Sequence, residues 1–422
     1  MRRSALMVVC LAVFVDMLGF GIILPILPLH AQRLGGAGVW VGALLTAYAL
    51  AQFVAAPVLG ALSDRYGRRR LLLLALAGSM VSLALTGVAG SLALLLLARL
   101  VAGGFGGAIA VGQAYAVDLA PGKHRTHALG LVGASVGLGF VVGPGVGAGL
   151  AAAGMGFTGI CLVAAALAGA NLVAGLVLLP PPTPVKRRPR RVSVSGAGRE
   201  RLRTLTAALA QRRMRPLLLA MFGVTFAFAS METTFALLGA ARFGLGPAGL
   251  GVVFTAVGVV MVLVQGGIVG RVTTRYGHRP VAVAGAVLMA LGLLVVPFAP
   301  AWLSYLGLGV VAAGQGLLST TIAALIAEAS GPQALGGALG IGQSSAAAAR
   351  AVGPIVAGLT FDLAMALPYL LATLLAALAA LLLRPPARES EGPTRRDARG
   401  AAPKGSVTDS VEEGSLINVT NH

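Results

Sequence analysis

The stretch Gly60–Arg70 reads GALSDRYGRRR and forms a short basic turn between two apolar segments. It returns in altered form as GRVTTRYGHRP at Gly270–Pro280, an offset of 270 − 60 = 210 residues. Two further pairs of landmarks keep the same offset: Gly143-Pro144 with Gly353-Pro354, and Asp118 with Glu328. Three coincidences at one offset indicate an internal duplication of about half the chain.

The composition is typical of a membrane protein. Hydrophobic residues make up 57% of the 422 residues and charged residues only 11%, whereas soluble domains carry roughly 25% charged residues. The net charge of +19 does not indicate a nucleic-acid partner, because the basic residues fall in short connections, one linker and the tail. That distribution is the positive-inside pattern of membrane proteins.

Apolar stretches predict twelve spanning helices, each near the length of about 20 residues that crosses a bilayer. The predicted spans lie near 5–30, 38–62, 71–90, 91–119, 126–152, 157–180, 215–240, 247–270, 280–299, 301–329, 335–360 and 364–383. They divide the chain into a six-helix bundle (1–180), a basic linker (181–213), a second six-helix bundle (214–384) and a disordered tail (385–422). The basic turns all fall on one side, which predicts that both termini, the linker and the tail are cytoplasmic.

The repeated turn resembles a known signature. GALSDRYGRRR is similar to the loop between the second and third helices of the major facilitator superfamily. The fifth span resembles the antiporter motif of the superfamily's twelve-helix drug/proton antiporters through Gly130, Gly139, Gly143-Pro144 and Gly147. Ala148 stands where that motif has its last glycine. Asp16–Pro28 and Arg99–Pro121 resemble the tetracycline-efflux branch. The resemblance implies an all-α fold of two pseudo-symmetric bundles around a cavity that opens alternately to each side.

The signature turn predicts a gate. Gly60 and Gly67 permit close helix contact and a tight turn, and Arg68 is expected to pair with Asp118. The resemblance places Asp64 at the positive N-terminus of the eleventh span, where a carboxylate is favourable. Alternatively the arginines, Arg65 among them, only anchor the topology. In the second copy Thr274 replaces Asp64, and Arg275 or Arg279 is expected to pair with Glu328.

Glycines in the fifth span predict close helix packing. Gly139, Gly143 and Gly147 surround Pro144, which removes a backbone hydrogen bond and permits a bend. The second copy retains Gly353-Pro354. The pattern suits either a seal between the two halves or simply a tightly packed membrane helix.

Charged residues within spans are costly and usually functional. Asp16 lies about 11 residues into the first span, roughly 16 Å deep, and Arg99 about 8 residues into the fourth from the other side, roughly 12 Å deep. The two side chains are therefore expected to meet near the middle of the membrane. A pair of this kind either exchanges a proton with the cavity or forms a static link between the two helices.

Glu232 and Arg350 are the corresponding charges in the second half. Glu232 is expected in the outer half of the seventh span, where it either binds a cationic substrate or the coupling proton, or lies at the membrane surface. Arg350 either serves an anionic substrate or pairs with Glu232 or Asp362. Gln113 and Gln315 are candidates for the cavity or for hydrogen bonds between helices.

These features predict a proton-coupled antiporter that exports small amphipathic or cationic compounds. The sequence has no Walker phosphate loop and no metal-binding spacing of His, Cys and carboxylates, so we expect no enzyme activity and no cofactor. The expected partners are the substrate, protons and the lipids of a bacterial inner membrane, and the expected state is a monomer. The alternatives are a transporter for metabolites, siderophores, sugars or organic anions, and a receptor or scaffold that transports nothing.

Overall fold

The computed structural model describes residues 2–120, 125–179, 210–330 and 335–384. Nearly all of the predicted linker and the whole predicted tail lie outside these ranges. The described part of the chain contains helices and no strands, which confirms the all-α prediction. Its residues up to Arg384 belong to one compact unit.

The described residues form fifteen α-helices and one π-helical turn. Those of the first half are α1 (Arg2–Ile23), α2 (Leu27–Arg33), α3 (Gly38–Tyr66), α4 (Arg68–Gly87), α5 (Leu92–Phe105), α6 (Ala108–Leu119), α7 (Arg125–Ala152) and α8 (Phe157–Leu178). Those of the second half are α9 (Arg215–Phe243), α10 (Pro247–Leu263), the π turn (Val264–Ile268), α11 (Val269–Tyr276), α12 (His278–Val295), α13 (Ala301–Ser330), α14 (Leu335–Leu363) and α15 (Leu367–Leu382).

Eleven helical segments of the described chain are long and apolar enough to span a membrane, and α15 is a twelfth, shorter one. The 16 residues of α15 give about 24 Å, less than the roughly 30 Å of a hydrocarbon core. The predicted span 364–383 is therefore too long, because Ala364–Ala366 form a turn ahead of Pro368. The other eleven predicted spans each coincide with a spanning segment.

Three of the spans are interrupted. The first breaks between α1 and α2 around Pro25, and the fourth breaks between α5 and α6 at Gly106-Gly107. The eighth passes from α10 to α11 through the π turn, which contains Gly266 and Gly267. Proline and glycine explain these positions, because proline lacks a backbone donor and glycine costs helix stability. Interrupted helices are frequent at functional sites, and the break in the fourth span lies beside the cavity described below.

The two copies of the repeated turn have the same backbone. Gly67 has φ +96° and Gly277 has φ +82°, a region that only glycine adopts at little cost. In each copy the arginine two residues before this glycine stacks on the intervening tyrosine, with Arg65 5.2 Å and Arg275 5.4 Å from the ring centre. The structure therefore confirms that the sequence repeat is a structural repeat.

The two ends of the molecule differ in charge and in packing. We call the end that carries the Arg68–Arg70 turn the basic end, and the opposite end, where α3 begins, the far end. At the far end the halves meet along two helix pairs, α3 with α14 and α7 with α10. Added Cβ atoms on Gly251 and Gly38 would lie 2.6 Å from Pro144 O and 2.9 Å from Gly358 O, respectively. These approaches close the far end tightly.

Candidate functional site

Asp16 lies in a small polar cavity inside the first half. Its carboxylate is only 7% exposed and accepts a hydrogen bond from the Ser79 hydroxyl on α4. The cavity of about 30 Å³ is lined by Asp16, Tyr48, Ser79, Ser82, Arg99 and Gly106, among others. Ile22 and Leu76 belong to two buried apolar clusters that lie mainly in the same half. A lone carboxylate there is costly, which is why its neighbours are polar.

Arg99 borders the same cavity but does not pair with Asp16. The guanidinium is 3% exposed, and its Nη2 donates to Thr86 Oγ1 at 2.7 Å. Its Nε has no hydrogen-bond partner. The sequence correctly predicted that the two charges share one region, but no ion pair joins them in the described structure. The static link between α1 and α5 is therefore absent in this conformation.

Tyr48 of α3 lines the cavity, and Gln52 of the same helix contacts its hydroxyl; the sequence analysis missed both residues. Gln52 Nε2 donates to the Tyr48 hydroxyl at 3.2 Å and to Gly106 O, at the break of the fourth span, at 3.0 Å. The Tyr48 ring lies 5.1 Å from that of Phe20, one helical turn after Asp16. Because Gln52 fixes the hydroxyl oxygen as an acceptor, the hydroxyl proton remains available to another group. Their spacing of four residues on an otherwise apolar helix was the signal that could have found them.

Glu232 and Arg350 interact electrostatically across α9 and α14. Arg350 is exposed, and Glu232 is partly buried. Arg350 also lies within electrostatic range of Tyr48, which in turn interacts with Asp16 and Arg99. Of the partners that the sequence offered for Arg350, Glu232 is present, and Asp362 instead binds backbone N–H groups of α3.

The two glutamines differ in their surroundings. Gln113 on α6 is exposed. Gln315 on α13 is partly buried, and its Oε1 has no hydrogen-bond partner in the described structure. Gln315 therefore has unused hydrogen-bonding capacity on its side-chain oxygen.

Arg68 is the centre of the charged cluster at the basic end. Its guanidinium lies 3.0 Å from Asp118 and 2.5 Å from Asp64, and it also donates to Ser63 Oγ. The predicted Arg68–Asp118 pair is thus present. No atom of the described residues lies within 4 Å of a Cβ added to Gly60, so the close helix contact expected there is not seen in this part of the chain. The first side chains of α14 are not among those that the structure describes. The contact of Asp64 with the N-terminus of α14 therefore stays a prediction.

The second copy of this cluster uses a histidine. His278 Nδ1 lies 2.7 Å from Glu328 Oε1. The sequence analysis proposed Arg275 or Arg279 for this contact and overlooked His278, which follows the turn glycine directly. Arg275 stacks on Tyr276.

The glycines of the antiporter-like motif pack within the first half. Cβ atoms added to Gly139, Gly143 and Gly147 would lie 2.7 Å from atoms of α1. The contact with the second half comes instead from Pro144 and Ala148, which face Gly251 of α10. The second copy repeats this division: Gly353 faces Phe226 and Ala229 of α9, and Pro354 faces Gly42 of α3.

The sequence matches the family model described as Major Facilitator Superfamily over residues 9–271 and 240–414. The chain belongs to the major facilitator superfamily.

Relatives in this superfamily include transporters of several kinds. The tetracycline resistance protein, class C, of Escherichia coli is 32% identical over 314 residues, covering 72% of this chain and 76% of that protein. Multidrug resistance protein 2 of Bacillus subtilis (strain 168) is 24% identical over 381 residues, covering 88% and 92%. The crystal structure of the human organic anion transporter MFSD10 (TETRAN) superposes with a TM-score of 0.68 at 26% identity, covering 91% and 99%.

Membership in the major facilitator superfamily establishes an integral membrane transporter for small molecules, not an enzyme. It also excludes the receptor or scaffold that the sequence had left open.

Proposed function

We propose that the protein is a proton-coupled antiporter that exports small amphipathic or cationic compounds by alternating access. The observation that carries this proposal is the position of Asp16: a carboxylate 7% exposed, beside a cavity, with no ion-pair partner among the described residues. Such a group is costly to keep charged in apolar surroundings and gains from binding either a proton or a cation.

Competition for one carboxylate explains the exchange. A proton on Asp16 removes the negative charge that attracts a cationic substrate, and a bound cation disfavours protonation. Protons entering down their gradient therefore displace substrate. Glu232 supplies a second carboxylate for either ligand, and Arg350 limits its negative charge.

Salt bridges at the basic end hold together the first-half side of the gate in this mechanism. Arg68 holds Asp64 and Asp118 together on three neighbouring elements, so the end of α3 moves with α4 and α6 as one body. Arg65 adds positive charge to this surface, and the second half contributes Glu328. Transition between the two open states breaks contacts between the halves and leaves these internal pairs in place.

Relatives and charge distribution support the remaining parts of the proposal. Relatives from bacteria are named for resistance to tetracycline or to several drugs. The basic turns fall at one end of the helices, which supports a cytoplasmic basic end and cytoplasmic termini, and the bacterial relatives support a bacterial inner membrane. A monomer suffices, because both halves of the substrate path come from one chain.

Proteoliposomes provide the test. With a pH gradient imposed and lumenal pH recorded, addition of a cationic substrate should release protons, and Asp16→Asn should abolish this release while inserting normally. Glu232→Gln should reduce it. Wild-type proton release by Asp16→Asn would refute the role of Asp16, and uptake of labelled substrate without any proton movement would identify a facilitator.

Arg350 favours a second candidate, a transporter of organic anions. Its guanidinium is exposed beside Tyr48 and Glu232, and the solved relative MFSD10 is described as an organic anion transporter. The same proteoliposomes distinguish the candidates. Transport of anionic but not cationic compounds, lost in Arg350→Gln and retained in Asp16→Asn, would establish this second function instead.

A further inference from the structure

A carboxylate of the second half binds the N-terminus of a helix in the first half. Asp362, at the far end of α14, accepts hydrogen bonds from Gly38 N at 2.6 Å and from Val39 N at 2.8 Å, one with each carboxylate oxygen. These are the first two N–H groups of α3, which have no partner within their own helix. They are also close to the positive pole of the helix dipole.

The helix α3 has no cap of its own. Its N-cap residue is Ala37, whose side chain cannot accept a hydrogen bond. Asp362 is the second-last residue of α14, and a carboxylate at a helix C-terminus is unfavourable for that helix. The position of this charge is therefore unfavourable within α14 and favourable only through its contact with α3.

The contact is specific to one of the two helix pairs that close the far end. Subtracting the repeat offset from Asp362 gives 362 − 210 = 152, and residue 152 is Ala152, at the end of α7. The helix opposite, α10, has Gly246 as its N-cap residue and no side-chain cap. The α7–α10 pair thus relies on packing alone, whereas the α3–α14 pair adds a charge-assisted contact.

We propose that Asp362 is a latch that stabilises the conformation closed at the far end. Opening of the far end separates α3 from α14, which breaks both hydrogen bonds and leaves the N-terminus of α3 without a cap. The far end opens when other interactions compensate for the loss of these two hydrogen bonds. This proposal concerns the conformational equilibrium and does not depend on proton coupling or on the substrate.

Cysteine labelling measures how often the far end opens. Cys10 and Cys161, the two native cysteines, are replaced by alanine, and Thr46→Cys provides the reporter. Thr46 Oγ1 accepts a hydrogen bond from Ile355 N at 3.2 Å, one helical turn deeper in the interface than Gly42. A membrane-impermeant maleimide applied to the far side of proteoliposomes reaches this position only when the far end is open.

Asp362→Ala should raise the labelling rate roughly two- to thirtyfold, the range that corresponds to loss of an ordinary helix cap. Asp362→Asn keeps one side-chain acceptor and loses the charge, so its rate should lie between those of wild type and Asp362→Ala. Thr360→Ala is the matched control on the same helix, because the Thr360 hydroxyl bonds only to carbonyls of α14. Its labelling rate should equal that of wild type.

A second substitution separates a latch from a simple cap. Ala37→Asp in the Asp362→Ala background gives α3 a cap within its own chain segment but does not reconnect the halves, so labelling should stay raised. Return to the wild-type rate in this double variant would show that Asp362 only stabilises the helix. Wild-type labelling in a folded Asp362→Ala or Asp362→Asn protein, or an equal rise in Thr360→Ala, would also overturn the proposal.

Discussion

His278 stands in the same relation to Glu328 as Arg68 does to Asp118. The offset of 210 residues that relates the two halves carries Arg68 onto His278 and Asp118 onto Glu328, and the N···O distances are 3.0 Å and 2.7 Å. The duplication has therefore preserved a contact between a basic and an acidic side chain while exchanging arginine for histidine.

Replacing Glu328 by glutamine should destabilise the folded protein only slightly. Its carboxylate contacts His278, but both side chains are substantially exposed, at 38% and 57%, so the loss should stay below about 1 kcal/mol. The measurement is the thermal unfolding midpoint of wild type, Glu328→Gln, His278→Gln and the double variant. The double variant should lose no more stability than either single variant, because the two side chains share one contact. Fully additive losses would contradict this prediction.

Removing the acceptor of Arg99 should destabilise the first half. Thr86 is completely buried, and Thr86→Val keeps its shape but leaves the guanidinium without its hydrogen bond from Nη2. The expected loss is about 1–3 kcal/mol of stability, because a buried charged donor becomes unpaired. Thr86→Ser retains the hydroxyl and serves as the control. Equal unfolding midpoints for the valine and serine variants would show that the hydrogen bond contributes nothing.

A single methyl group at Gly143 should separate α7 from α1. The added Cβ would lie 2.7 Å from Gly21 Cα, a backbone atom that cannot rotate away, and overpacking of this kind costs about 1–3 kcal/mol. Gly149 lies on the same helix with nothing within 4 Å of an added Cβ. Gly149→Ala should therefore be neutral or stabilise by up to about 1 kcal/mol. Equal thermal unfolding midpoints for Gly143→Ala and Gly149→Ala would contradict this prediction.

Replacing Tyr48 by phenylalanine should weaken substrate binding without unfolding the protein. The variant keeps the ring contact with Phe20 but loses the hydroxyl that lines the cavity and accepts from Gln52. Loss of one hydrogen bond of about 0.5–1.5 kcal/mol corresponds to a rise in KM of up to about tenfold. Tyr66→Phe, an exposed tyrosine on the same helix, is the control. Unchanged transport kinetics in Tyr48→Phe would show that the Tyr48 hydroxyl does not contribute to substrate binding.

Local patterns in the sequence predicted the features that depend on neighbouring residues. The repeat located Gly67 and Gly277, because a tight turn between antiparallel helices needs backbone angles that only glycine adopts readily. It also predicted the pair of Arg68 with Asp118, since both lie near the same membrane surface. Hydropathy located eleven of the spans, and it placed the start of the last one too early, because α15 begins only at Leu367.

Contacts that depend on the packing between helices were not predictable in the same way. The estimated depths of Asp16 and Arg99 in the membrane correctly placed the two residues at one level. The orientation of α5 about its axis, which these depths do not predict, directs Arg99 toward Thr86. The contact of Asp362 with Gly38 joins residues 324 positions apart and depends on how the two halves meet. A hydropathy pattern contains no information on that arrangement.

The π turn between α10 and α11 records a difference between the two copies. The segment Gly38–Tyr66 has 29 residues, and its counterpart Pro247–Tyr276 has 30. Before the π turn the offset between the copies is 247 − 38 = 209, and after it 277 − 67 = 210. The wider turn accommodates the additional residue, which in a regular helix would rotate all later side chains by about 100°. A difference of one residue between the copies is thus absorbed within a single turn, and Gly251 and Gly277 keep the positions that Gly42 and Gly67 have in the first copy.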